Sequence, residues 1–138
     1  MAFKSIAIGS DHAGFDLKAK LAEELRSSGY EVLDCGTGDA TNSVDYPDFG
    51  KAVAEAVTSG KTDGGVVVCG TGIGISIAAN RHPGIRAALC HDVTMARLCR
   101  EHNDANVLAL GARLIGDVVA KDCLDAFLNT PFAGDRHV

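Results

Sequence analysis

The 138-residue chain has no basic cluster: 13 lysines and arginines are scattered among 18 acidic side chains, for a formal net charge of −5. Tight nucleic-acid binding needs grouped cations to neutralise phosphates, so no nucleic acid is expected as a partner. No apolar run approaches the roughly 20 residues that a membrane helix needs. The opening MAFKSIAIGSDH also lacks the long apolar stretch of a secretory leader. No membrane association is expected, and the sequence reads as cytoplasmic. Cys35, Cys69, Cys90, Cys99 and Cys123 are odd in number and form no CxxC pair. That pattern argues against a disulfide framework and against a structural zinc site. Linkers, repeats and low-complexity segments are missing as well. With 46% apolar and 22% charged residues, the expectation is one soluble globular domain over 1–138.

What the chain does contain is a regular alternation of strand-like and helix-like segments. KSIAIG (4–9) precedes a helix pattern in which Leu17, Leu21 and Leu25 recur every four residues and Gly29 closes the run. YEVLD (30–34) follows as a second strand. Pro47 then starts a helix that carries Phe49, Val53 and Val57 on one face and ends at Gly60. GGVVVC (64–69) is the most β-branched segment. A helix over 73–82, a strand over 86–90, a helix over 92–103, a strand over 105–110 and a helix over 114–128 complete the series. Strands separated by helices need crossover connections, which predicts an α/β protein: a three-layer Rossmann-like fold with a five-stranded parallel sheet and helices on both faces. In the common strand order 2-1-3-4-5, ligands bind beyond the carboxyl ends of the first and third strands. The loops that would meet there are GSDHAG (9–14) and CGTGIG (69–74).

The second of these loops admits several chemistries. A dinucleotide fingerprint starting at Gly70 would need glycine where Ile75 stands, and a C-x5-R phosphatase loop would need arginine at that same position. Two readings survive. Gly70, Gly72 and Gly74 could let backbone N–H groups converge at a helix start, forming an anion cradle whose field also favours the thiolate of Cys69. Alternatively, the glycines serve close packing and Cys69 is a small core residue. Asp11 and His12 lie on the neighbouring loop, where a helix cap would need only one of them. His102 shares a helical stripe with Met95 and Cys99, as a buried or interfacial histidine would. Cys99 and His102 have half of a metal-site spacing, and without a second half no metal is expected. Asn103 could cap that helix, Arg113 could be a surface arginine, and Arg136 and His137 could lie in a solvated tail.

Taken together, SDHAG (10–14), DYP (45–47), CGTGIGISIAAN (69–80), REHNDANVLALGAR (100–113) and GDRH (134–137) resemble the motifs of type B ribose-5-phosphate isomerases and their galactose- and allose-6-phosphate isomerase relatives. The likeness is collinear over nearly the whole chain. It implies a metal-free, cofactor-free aldose–ketose isomerase that interconverts D-ribose 5-phosphate and D-ribulose 5-phosphate in the pentose phosphate pathway. Cys69 matches the family's proton-abstracting base and His102 the acid of ring opening. Asp11, His12, Gly70, Thr71, Gly72, Ile73, Gly74 and Asn103 match substrate-binding positions, and Arg113 and Arg136 match phosphate-binding ones. Members without the cysteine carry a glutamate just after the glycine loop; Ile75 stands there, so the cysteine branch is indicated. The family commonly has a further basic residue four positions beyond the match to Arg136. The sequence given stops at Val138, and sugar-phosphate preference is where that departure would be felt. A six-carbon sugar phosphate, or a phosphosugar-binding module without turnover, is the alternative function.

The chemistry suits the residue types. Removing a proton beside a carbonyl needs a placed base, worth about 10²–10⁴-fold, and donors for the enediolate oxygen. The 92–103 helix would run back about 15 Å from the carboxyl edge of the sheet, leaving His102 far from Cys69 in the same chain. A homodimer, or a dimer of dimers, with active sites shared between subunits is therefore expected.

Overall fold

Two continuous apolar runs, GGVVVC and VLALG, set the centre of the fold. Such runs can be buried only in strands covered on both faces. In the computed structural model, which describes residues 3–138, every residue of both is buried. These are β3 (Gly64–Cys69) and β5 (Val107–Gly111), paired in parallel with Cys69 opposite Gly111. β1 (Ser5–Ser10) flanks β3 on its other side, and β2 (Glu31–Asp34) and β4 (Ala87–Leu89) form the edges. The helices are α1 (Phe15–Ser27), α2 (Tyr46–Thr58), α3 (Ile73–Asn80), α4 (Val93–Glu101) and α5 (Asp117–Asn129). Short 3₁₀ turns cover His12–Gly14 and Asp135–His137.

Because side chains alternate along a strand, successive valines of β3 serve two different cores. Val66 and Val68 face Leu21 and Leu25 of α1, Ala96 of α4 and Leu124 and Phe127 of α5. Val67 and Cys69 face Val53 of α2 and Ile75 and Ala79 of α3. The fold is thus the expected three-layer sandwich. Each fully buried leucine contributes about 1.5–3 kcal/mol relative to an exposed one.

The strand order differs from the common one: it is β2-β1-β3-β5-β4, so the last two strands exchange places. Burial accounts for the exchange. β5 offers five residues that all need cover, whereas β4 has three residues that are only partly buried and tolerate an edge. The crevice between β1 and β3 survives this change, but the loop after β5 now stands beside the loop after β3. That loop also delays the last helix: Ala112 N–H donates to the Cys69 carbonyl at 2.9 Å and Arg113 N–H to the Gly70 carbonyl at 2.9 Å. α5 accordingly begins at Asp117 rather than near 114.

Two buried cations brace the loops. Lys18 Nζ donates to both Asp34 carboxylate oxygens, at 2.8 and 2.9 Å, and to the Thr37 carbonyl at 2.8 Å, which joins α1, β2 and the loop beyond. Arg100, near the end of α4, donates to the carbonyls of Ala105 at 2.6 Å and Thr130 at 3.1 Å and to Asp104 Oδ1 at 2.9 Å. Its guanidinium lies 5.0 Å from the Phe3 ring centroid. Among the described residues no helix is long and apolar enough to cross a membrane.

Candidate active site

The cysteine loop is a left-handed turn feeding a helix. Gly72, with φ +78, is the N-cap of α3, and a Cβ there would stand 2.5 Å from Leu89 Cδ1 and 2.8 Å from the Leu110 carbonyl carbon. Only glycine fits both the angle and the space. The turn brings Gly72 N–H onto Cys69 Sγ at 3.2 Å, while Thr71 Oγ1 accepts from Ile73 N–H at 3.2 Å. The N–H groups of Gly74 and Ile75, in the first turn of α3, have no acceptor within the helix, as at any helix start. Cys69 itself is buried, whereas Thr71 and Ile73 are exposed and Gly70 and Gly74 partly so. The glycines thus pack closely, and the same packing aims one donor, Gly72 N–H, at the sulfur.

Asp11 and His12 share the neighbouring loop in different ways. Asp11 Oδ1 accepts from Gly14 N–H at 3.1 Å and caps the 3₁₀ turn. His12 Nδ1 accepts from Val44 N–H at 3.1 Å, holding the loop that precedes α2 against the site. That loop delivers a residue the sequence reading left unassigned. The ring of Tyr46 lies over Gly74, so closely that a Cβ on the glycine would stand 2.6 Å from ring carbons. The available signal was DYP itself, which served above as a helix start at Pro47 and as one of the family-like motifs, with no role given to Tyr46. Arg113 runs its side chain along Gly70, 3.3 to 3.5 Å from where a Cβ would be. It is thus a wall of the cysteine loop as well as an exposed arginine.

The structure assembles Asp11, His12, Cys69 to Gly74 and Arg113 at the carboxyl edge of the sheet. His102, Asn103 and Arg136 are elsewhere. α4 leaves the carboxyl end of β4 and returns over nine residues, about 14 Å, to the amino end of β5. His102 is the C-cap of that helix. It does not share a buried stripe with Met95, which is exposed, although Cys99 is buried. Its imidazole instead stacks on His137 of the tail, with ring centroids 4.3 Å apart and planes at 15°. Asn103 is exposed, and its carbonyl accepts from Arg86 Nε at 2.7 Å. Arg136 is exposed within the Asp135–His137 turn, whose approach is fixed by Ala133 N–H donating to the Glu101 carbonyl at 3.0 Å.

Of the other thiols, Cys35 follows the carboxyl end of β2 and is partly buried. Cys90, Cys99 and Cys123 are buried in the α1/α4/α5 core. A hydrogen bond between Cys90 and Cys99 raises the thiol pKa of Cys90 and lowers that of Cys99, and burial pushes Cys123 up to about 11. Among the described residues no group of three or more His, Cys, Asp or Glu side chains is placed to hold a metal ion.

A parallel five-stranded sheet with a cysteine–glycine turn at its switch point defines a class, and sequence comparison places the chain within it. Residues 6–138 match the Ribose/Galactose Isomerase family, and the chain belongs to that family. Ribose-5-phosphate isomerase B of Escherichia coli is 48% identical over 134 residues, 97% of this chain and 89% of the relative. Among solved structures, ribose-5-phosphate isomerase B of Clostridium thermocellum superposes with a TM-score of 0.95 at 59% identity, covering 96% of this chain and 89% of that one. The Mycoplasma genitalium enzyme, solved with bound ribulose 5-phosphate, gives a TM-score of 0.92 at 40% identity, covering 96% and 88%.

Proposed function

We propose that the chain is a single-domain ribose-5-phosphate isomerase that interconverts D-ribose 5-phosphate and D-ribulose 5-phosphate through an enediolate. The observation that carries this reading is Cys69 at the end of β3, its sulfur facing Gly72 N–H, in a chain of this family. In the forward direction the Cys69 thiolate takes the proton from C2 and the electrons move onto the C1 oxygen; the hydroxyl proton then passes from the C2 oxygen to the C1 oxygen, and the thiol returns its proton to C1 as the C2 carbonyl forms. Donors from the 70–74 turn hold the charged oxygen. His102 protonates the ring oxygen as the furanose opens. Asp11, His12 and Asn103 bind the sugar hydroxyls, and Arg113 and Arg136 bind the phosphate. Tyr46 over Gly74 walls the sugar side of the pocket.

The separation of the two residue sets supports a homodimer, or a dimer of dimers, in which Cys69 of one subunit meets His102 of the other. The assay that tests the reading follows ribose 5-phosphate, allose 6-phosphate and galactose 6-phosphate side by side. Turnover of the pentose phosphate well above both hexose phosphates is expected. Binding without turnover would make the chain a phosphosugar-binding module. Mixing inactive Cys69→Ala and His102→Ala subunits, with exchange verified, should restore about a quarter of wild-type activity, since half the dimers are mixed and each has one intact site. No rescue would place both residues in one chain's site or remove His102 from the chemistry.

A further inference from the structure

His102 occupies a helix C-cap, a position where backbone order is already fading. Among the described residues no hydrogen bond holds its imidazole in place. What covers it is the flat face of His137, 4.3 Å away and within 15° of parallel. His137 is itself placed by a sequence of restraints. Arg100 binds the Thr130 carbonyl, Ala133 N–H binds the Glu101 carbonyl, and two left-handed residues, Gly134 at φ +73 and Asp135 at φ +51, turn the chain back. His137 N–H then donates to the Gly134 carbonyl at 3.0 Å, closing the turn. The tail is thus anchored at two points before it reaches the histidine, and it presents a ring rather than a hydrogen-bonding atom to His102.

We propose that His137 is a positioning residue for His102: the stacked ring fixes the rotamer of the acid and so couples docking of the tail to ring opening. The inference rests on the isomerase reading in giving His102 that role. An imidazole free to rotate about two side-chain bonds spends much of its time misaimed, and a parallel ring on one face removes most of those orientations. His137→Ala is expected to lower kcat roughly three- to tenfold, the scale set by freeing one side chain, with KM within about twofold. His137→Phe keeps a flat ring of similar width and should restore kcat to within about twofold, whereas His137→Gln should not. A second measurement reads the ring directly. The carbon-bound protons of the His102 imidazole should be shifted upfield by the stacked ring in the wild type, lose that shift in His137→Ala and keep it in His137→Phe. A wild-type kcat in His137→Ala would overturn the proposal, as would loss of kcat in Ala and Phe variants alike, or a rise in KM alone, which would mark a tail that only carries Arg136. If the wild type fails to turn over ribose 5-phosphate, the parent reading falls on its own. The resonance comparison then still decides whether His137 orders His102, and an unchanged spectrum in His137→Ala overturns it.

Discussion

The two edges of the sheet hold their candidate residues by different means. At the carboxyl edge, Cys69, Gly72 and Arg113 are fixed by backbone hydrogen bonds and by contacts too close for any side chain at the glycines. At the amino edge, His102, Asn103 and Arg136 stand on a helix end and a tail, at or near the surface. The first set is preorganised within one chain, as the proposed base and its donors must be if they are to act without rearranging. The second is displayed outward. Such a division suits the proposed shared site, in which one chain would supply the base and its partner the acid and the phosphate anchor.

The comparison can be broken most severely at Cys69. Cys69→Ala should reduce kcat by about 10²–10⁴-fold while leaving phosphosugar affinity nearly unchanged, since a base acts chiefly in the transition state. Near-normal turnover, measured by steady-state kinetics, would end the thiolate mechanism. Arg136→Ala should act the other way and raise KM roughly 10–100-fold with little change in kcat, because a phosphate contact of about 1.5–3 kcal/mol is the same before and during reaction. A constant KM would take the tail out of the site. Gly72→Ala tests the preorganisation itself. With φ +78 and Leu89 Cδ1 at 2.5 Å, it should cost on the order of 1–3 kcal/mol, read as a lowered Tm, and lower kcat by misplacing the donor to the sulfur. An unaltered Tm would mean that the turn is not strained by a side chain.

The smallest expected effect lies at the amino edge, away from the site. The Asp63 carboxylate accepts from Lys4 N–H at 2.8 Å and from Ser5 N–H at 3.2 Å, and the first of these bonds chiefly holds its pKa below the ordinary 3.8. A depressed carboxylate pKa stabilises the fold above the unfolded value, and that contribution fades as pH falls through the lower folded value. Below about pH 4, Asp63→Asn should therefore lose less stability on further acidification than the wild type, by a small margin because the group is exposed. Identical acid profiles in denaturant titrations would show that the clasp contributes nothing measurable.

Much of this architecture was legible because it is local. Leu17, Leu21 and Leu25 fall on one face of α1 and are buried there; Pro47 does open α2; and the bounds of β3 match the apolar run residue for residue. That the candidate residues of the carboxyl edge stand together was legible in part, since eight of the nine lie within the two loops that follow β1 and β3. What spacing could not supply was long-range. The exchange of β4 and β5 depends on which strand needs more cover, a competition between segments that no single window contains. Tyr46 reaches Gly74 only through the loop that His12 and Lys18 hold. The stack of His102 on His137 joins the end of α4 to the tail, which a stripe pattern read along α4 alone does not contain.

The placement of β5 beside β3 has a consequence for the order in which the molecule is made. The floor of the cysteine turn consists of Leu110, Gly111 and Arg113, residues about 40 positions later in the chain. During synthesis β1, α1, β2, α2 and β3 can emerge and begin to associate, yet two of the three groups that crowd Gly72, Leu110 and Gly111, are missing until β5 is made, and the third, Leu89, stands on β4, which pairs only with β5. The reaction centre is therefore among the last parts of the sheet to take shape, after a long loop has been closed at entropic cost. A chain halted after β4 would carry every atom of the cysteine turn but not the β5 floor that gives the turn its geometry.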